Sequence, residues 1–68
     1  MNTFYDLPEG SSSIIRGYSC GNIARQKLIS IGLYLGKIIS RRGNFAVVGD
    51  SRIAIGKDLS RKILVEIQ

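Results

Sequence analysis

The sequence predicts a mostly β fold, a small barrel of short strands packed on a single α-helix. Short segments rich in β-branched residues recur along the chain, and turns that contain glycine separate them. One segment instead has apolar residues at helical spacing, namely Ala24, Leu28 and Ile31. A lone amphipathic helix has to bury its apolar stripe, and here only a sheet is available to cover it.

The chain of 68 residues is close to the lower size limit for a domain that folds without added cross-links, so we expect residues 1–68 to form one domain. It has one cysteine and no histidine, which excludes an intramolecular disulfide and a Cys/His zinc site. Packing alone has to stabilise the fold, which suits a closed or nearly closed sheet. Apolar runs are short, so we expect neither a signal peptide nor direct membrane insertion, but a cytoplasmic protein.

The helix should run from Ile23 to Ile31, with Asn22 as its N-cap. Gly32 stands where a left-handed C-terminal cap belongs, because glycine adopts positive φ without steric cost. The next residues, Leu33-Tyr34-Leu35, form an apolar elbow that ends at Gly36. We expect this elbow to be exposed.

The remaining segments are predicted as strands and turns. We expect strands at residues 1–6, 14–18, 37–42, 45–48, 52–57 and 63–67, and one helical turn at 58–61. Alternation in the second strand would place Ile14, Arg16 and Tyr18 on one face and Ile15 on the other. Gly43-Asn44 is a two-residue hairpin signal.

The residue types that usually carry catalysis are scarce. Without histidine, the commonest general base and metal ligand is missing. The five acidic residues are scattered singly, and no phosphate-binding glycine loop is present. We therefore expect no enzymatic activity and no cofactor.

The charge is strongly biased. Ten Lys and Arg residues against five Asp and Glu give a net charge of +5, which favours acidic partners. Nucleic acid, an anionic membrane face and an acidic protein patch all satisfy that requirement.

Several short motifs, taken in order, resemble the FeoA family of small cytoplasmic accessory proteins of bacterial ferrous iron transport. They are Leu7-Pro8-x-Gly10, Ile15-x-Gly17, Arg25-x-Lys27-Leu28-x-x-Ile31-Gly32-Leu33-x-x-Gly36-x-x-Ile39, Ile53-Ala54-Ile55 and Ile63-x-Val65. The match spans residues 7 to 67, although the family usually has proline where this chain has Leu35. The resemblance implies an SH3-like β-barrel with a helix inserted after the second strand.

The resemblance also implies a partner, the large membrane ferrous iron transporter that carries a cytosolic GTP-binding domain. It brings no catalytic residue and no agreed metal ligand. The leading interpretation is an adaptor that docks on this transporter, modulates iron uptake and reaches the inner face of the cell membrane through it. The predicted contact residues are the elbow and the helix residues beside it: Arg25, Lys27, Ile29, Leu33, Tyr34 and Leu35.

Two other functions are kept as alternatives. A small basic barrel can bind nucleic acid, with Tyr5, Tyr18, Tyr34 and Phe45 stacking on bases and Arg41-Arg42-Gly43 at a hairpin tip. The fold also forms the last domain of metal regulators that resemble the diphtheria toxin repressor. No helix-turn-helix precedes it in this sequence, so such a regulator would need a separate DNA-binding partner.

Overall fold

The computed structural model describes residues 2–68, so Met1, which falls in the first predicted strand, lies outside the described residues. Six short strands form one antiparallel sheet, with two helices inserted between strands. In chain order the elements are β1 (Asn2–Thr3), a 3₁₀ turn (Phe4–Asp6), β2 (Ser12–Tyr18), α1 (Asn22–Ser30), β3 (Ile38–Arg42), β4 (Phe45–Val48), β5 (Ser51–Ala54), α2 (Lys57–Ser60) and β6 (Ile63–Ile67).

The strands lie in the order β1-β6-β2-β3-β4-β5, with β1 and β5 as the two edges. The mostly β prediction is confirmed. The edges do not pair with each other, so the sheet is open and the fold is a barrel only in a loose sense. Predicted strand ends move by only a few residues, except at the N-terminus, where the 3₁₀ turn replaces half of the expected edge strand.

One face of the sheet, together with α1, encloses the core. Its members alternate along the strands as a two-residue period requires, and on the helix only Leu28 is fully buried. The buried apolar residues are Phe4, Leu7, Ile15, Leu28, Leu33, Ile39, Ala46, Ile55, Ile63 and Val65. The core therefore draws on every part of the chain, as expected for a domain without cross-links.

The predicted orientation of the Tyr18 side chain is wrong, because β2 contains a β-bulge. The register with β6 shifts between Ile15 and Gly17, so Arg16 is an extra residue in the strand. After the bulge Tyr18 pairs with the fully buried Ile63 and packs against the core. Simple alternation would have pointed its ring to the other face of the sheet.

The turns after β3 and β5 fall near their predicted positions. Arg42 pairs with Phe45 across the Gly43-Asn44 loop, and Gly43 has a φ of 59°. A two-residue hairpin with glycine in this conformation is therefore confirmed. β5 ends at Ala54 rather than at residue 57, because Lys57 already begins α2.

Helix α1 begins and ends one residue earlier than predicted. Gly21 is its N-cap, and Asn22 is the first helical residue, so the predicted Asn22 cap is wrong. Ile31 is the C-cap and is exposed, so the predicted apolar stripe does not extend to it. Beyond the last turn the chain changes direction at Gly32, which has a φ of 104°.

Replacing Gly32 by alanine tests this reversal. At φ 104° a Cβ strains the backbone whatever space surrounds it, so Gly32→Ala should lower the free energy of unfolding by about 1–3 kcal/mol. Gly17→Ala is the matched control, because Gly17 lacks positive φ and its new Cβ would meet Leu64 at an ordinary 3.5 Å. Urea denaturation, followed by circular dichroism, measures the free energy of unfolding of both variants. Equal losses of stability in the two would contradict the requirement for positive φ at Gly32.

Candidate partner-binding site

Residues 31–37, which contain the elbow, join α1 to β3 through two successive turns. In the first turn, the Gly32 amide donates to the Ile29 carbonyl at 3.0 Å and the Leu33 amide donates to the Leu28 carbonyl at 2.9 Å. These two bonds form a Schellman motif, which satisfies carbonyls at the helix end. The apolar contact typical of the motif joins its two ends, and both Leu28 and Leu33 are fully buried here.

The second turn presents two apolar side chains to solvent. The Lys37 amide donates to the Tyr34 carbonyl at 3.1 Å, and Gly36 has a φ of 85°. This is the pattern of a type II turn, with Leu35 and Gly36 at its central positions. Tyr34 is 45% exposed and Leu35 is 52% exposed.

Neighbouring strand β2 holds the elbow backbone in place. The Gly36 amide donates to the Ile15 carbonyl at 2.8 Å, and the Ile15 amide donates to the Lys37 carbonyl at 3.0 Å. The Tyr18 hydroxyl donates to the Leu33 carbonyl at 2.5 Å. Burial raises the pKa of the Tyr18 phenol, which keeps this donor protonated. The elbow is therefore anchored at both ends.

The predicted contact residues divide into two groups. Tyr34 and Leu35 are exposed apolar residues of the elbow and line one groove. Ile29 and Arg25 are exposed residues of α1 that line another, and Lys27 is an exposed cation of the same helix. Leu33 does not belong with them, since its side chain is fully buried. Its prediction as a contact residue is wrong, because the Schellman motif turns this side chain into the core.

Two residues that sequence reasoning missed extend the exposed surface. Ile38, which is 53% exposed, and Lys37 line a shallow groove together with Tyr34 and Leu35. The Lys37 ammonium lies 5.3 Å from the centre of the Tyr34 ring, within cation–π distance. Ile38 and Ile39 are adjacent and chemically identical, so only the register with β2 shows that Ile39 is buried and Ile38 exposed.

The chain segment that contains the elbow carries only positive charges. The chain from Gly10 to Gly49 contains no Asp or Glu, and all acidic residues lie in the two flanking segments. The same span carries six of the cations: Arg16, Arg25, Lys27, Lys37, Arg41 and Arg42. Arg16 already pairs with Glu66 of β6 at 2.8 Å, and Asp50 follows the Gly49 that lines the groove. The positive bias that favours an acidic partner therefore comes from the other cations, Lys37 among them.

The residues of the nucleic-acid alternative are dispersed. The Tyr18 hydroxyl is bound to the elbow, and Tyr34 and Tyr5 lie near opposite ends of β3. Arg41 is occupied by protein carbonyls, donating to Tyr5 at 2.7 Å and to Leu7 at 2.8 Å. These side chains do not form one stacking platform, which the binding of single strands requires.

Neither a metal cluster nor a membrane span emerges from the described part of the chain. Within residues 2–68, His, Cys, Asp and Glu side chains nowhere come together in a group of three or more that could hold a metal ion. Of the helices in this range, none has the length and apolar character needed to cross a membrane.

Replacing Leu35 by proline tests the turn assignment. Proline is favoured at the second position of a type II turn, and the Leu35 amide has no hydrogen-bond acceptor within residues 2–68. Leu35→Pro should raise the free energy of unfolding by about 0.4–1 kcal/mol, because it restricts the unfolded chain. Urea denaturation measures the change. A loss of stability would contradict the turn, and Leu35→Ala separates this backbone effect from loss of the side chain.

Comparison with known proteins gives a consistent result. The family model described as "FeoA domain" matches residues 3–67. A solved structure described as an iron uptake regulatory protein (FeoA) has 31% sequence identity and a TM-score of 0.90, with 98% of this chain and 96% of that chain covered. No curated protein matches.

These matches cover nearly the whole chain and agree with the open, mostly β sheet described above. The architecture is that of a small SH3-like β fold. Family membership points to a role in ferrous iron transport. The chain belongs to the FeoA family.

Proposed function

We propose that this protein is a non-catalytic adaptor of ferrous iron transport that docks on the membrane iron transporter and modulates uptake. The partner is the transporter with a cytosolic GTP-binding domain, and the contact is made by the elbow. The observation that carries the proposal is the exposed apolar cluster of Tyr34, Leu35 and Ile38 on an anchored backbone. Ile29, in the last turn of α1, is exposed and lines a separate groove with Arg25.

Anchoring favours docking because it lowers the entropic cost of binding. Residues that are already held by backbone hydrogen bonds lose little freedom when a partner covers them. Tyrosine is among the residues enriched at binding hot spots, and Tyr34 is the aromatic side chain of the elbow. We place it at the centre of the contact, with Leu35 and Ile38 around it.

Positive charge defines the kind of partner surface. Lys37 flanks Tyr34, and Arg25 and Lys27 lie on the exposed side of α1. An acidic rim around an apolar pocket on the transporter would be complementary to these three cations. Leu33 contributes indirectly: its buried side chain holds the elbow backbone in place and does not touch the partner.

The test is a binding titration with the purified cytosolic domain of the transporter, followed by amide chemical shifts of this protein. We expect the shifts to cluster on residues 29–38. Tyr34→Ala should weaken binding by about tenfold or more, as truncation of a hot-spot aromatic does. Added salt should slow association, because the flanking cations steer the encounter.

Phe45→Ala is the matched control. Phe45 is 44% exposed, almost as exposed as Tyr34 at 45%, but it lies on β4 beside the Gly43-Asn44 hairpin. Its truncation should change the affinity less than about twofold, as substitutions outside a hot spot do. Equal losses of affinity in the Tyr34→Ala and Phe45→Ala variants, or chemical shift changes located outside residues 29–38, would overturn the proposed surface. Iron uptake in cells expressing each variant then measures the effect on transport.

A further inference from the structure

A second concave site lies at the other end of β3 from the elbow. The 3₁₀ turn that carries Tyr5 forms one wall, and the Gly43-Asn44 loop and the first residues of α2 form the others. Phe4 and Ile55, both nearly fully buried, form the apolar floor. We call this depression the Tyr5 pocket. It shares no residue with the proposed transporter contact.

Three cations converge on the Tyr5 ring. The guanidinium carbon of Arg61 is 4.6 Å from the ring centre, the ammonium of Lys57 is 5.8 Å away, and the guanidinium carbon of Arg41 is 6.0 Å away. All three distances are measured to one ring centre, so the three positive charges surround the same ring. An anion bound beside this ring would be attracted by all three.

Nearby carboxylates do not supply that anion. Asp6 accepts hydrogen bonds from the Thr3 amide at 3.1 Å and the Thr3 hydroxyl at 2.9 Å, which hold the pKa of its carboxyl below the ordinary value. Glu9 accepts from the Gly43 amide at 2.8 Å. Neither forms an ion pair with Lys57 or Arg61 among residues 2–68, although the charge of Arg61 also lowers the pKa of Asp6.

The three cations have different roles. Arg41 donates to the carbonyls of Tyr5, Leu7 and Gly43, so its guanidinium is part of the wall. Lys57 lines the pocket, and Arg61 lies over the ring of Tyr5, which also lines it. Both side chains are exposed and can turn their donors toward a ligand. Hydrogen bonding by the Arg61 side chain, and next the charge of Lys57, lower the pKa of the Tyr5 phenol.

We propose that the Tyr5 pocket binds a phosphate group, held by Lys57 and Arg61 with the Tyr5 hydroxyl as a further donor. A phosphate monoester carries a charge of about −1.5 to −2 at neutral pH, which matches three cations better than a single carboxylate does. The planar fork of Arg61 can donate two parallel hydrogen bonds to phosphate oxygens, and Lys57 contributes a point charge.

Amide and tyrosine-ring chemical shifts recorded during titration with inorganic phosphate test this proposal. At constant ionic strength, phosphate should shift Tyr5, Gly43, Lys57 and Arg61 in a saturable way, and acetate at equal concentration should not. A nucleoside monophosphate distinguishes the source of the group. Tighter binding than inorganic phosphate indicates a phosphate ester, and equal binding indicates free phosphate.

Charge-neutralising variants locate the site. Arg61→Gln and Lys57→Gln should each weaken phosphate binding by about tenfold, as loss of one charge-assisted contact does. Lys62→Gln removes the same charge from an exposed residue that neither lines the pocket nor lies over the Tyr5 ring, and it should change phosphate affinity less than about twofold. Equal losses of phosphate affinity in all three variants, or equal chemical shift changes with acetate, would show general ionic attraction and overturn the proposal. Neither outcome bears on the proposed transporter contact, because that contact shares no residue with the Tyr5 pocket.

Discussion

Burial of Leu33 is the constraint on which the elbow depends. The Schellman motif brings this side chain under the end of α1, where it packs with Leu28 in the core. Bonds from Gly36 and Tyr18 then hold the backbone on each side of the next two residues. With Leu33 directed inward and Gly36 closing the type II turn, Tyr34 and Leu35 are left in solvent.

Much of the fold could be predicted because local signals and tertiary packing agree in this chain. Gly32 and the Gly43-Asn44 loop require backbone conformations that few other residues adopt, and both turns are where the sequence placed them. The bulge at Arg16 could not be predicted, since it depends on pairing with a strand about fifty residues later. Closure of the sheet could not be predicted either, because it depends on whether β1 and β5 meet.

The exposed elbow was predictable in position, but which neighbouring side chains face solvent was not. Glycines at 32 and 36 marked the elbow, and its exposed Tyr34 and Leu35 followed from that. The burial of Leu33 depends on the Schellman motif at the end of α1. The exposure of Ile38 depends on the register of β3 with β2. The Tyr5 pocket had no sequence signal, because its cations come from β3, from α2 and from the residue after α2.

Native-state hydrogen exchange of the elbow amides tests the central claim most directly. If Leu33 is locked into the core and Gly36 is bound to β2, their amides should exchange as slowly as those of β6, only through global unfolding. The Leu35 amide, which has no acceptor within residues 2–68, should exchange orders of magnitude faster. Exchange of Leu33 and Gly36 at the rate of Leu35 would contradict the account, because the elbow would then open independently of the core.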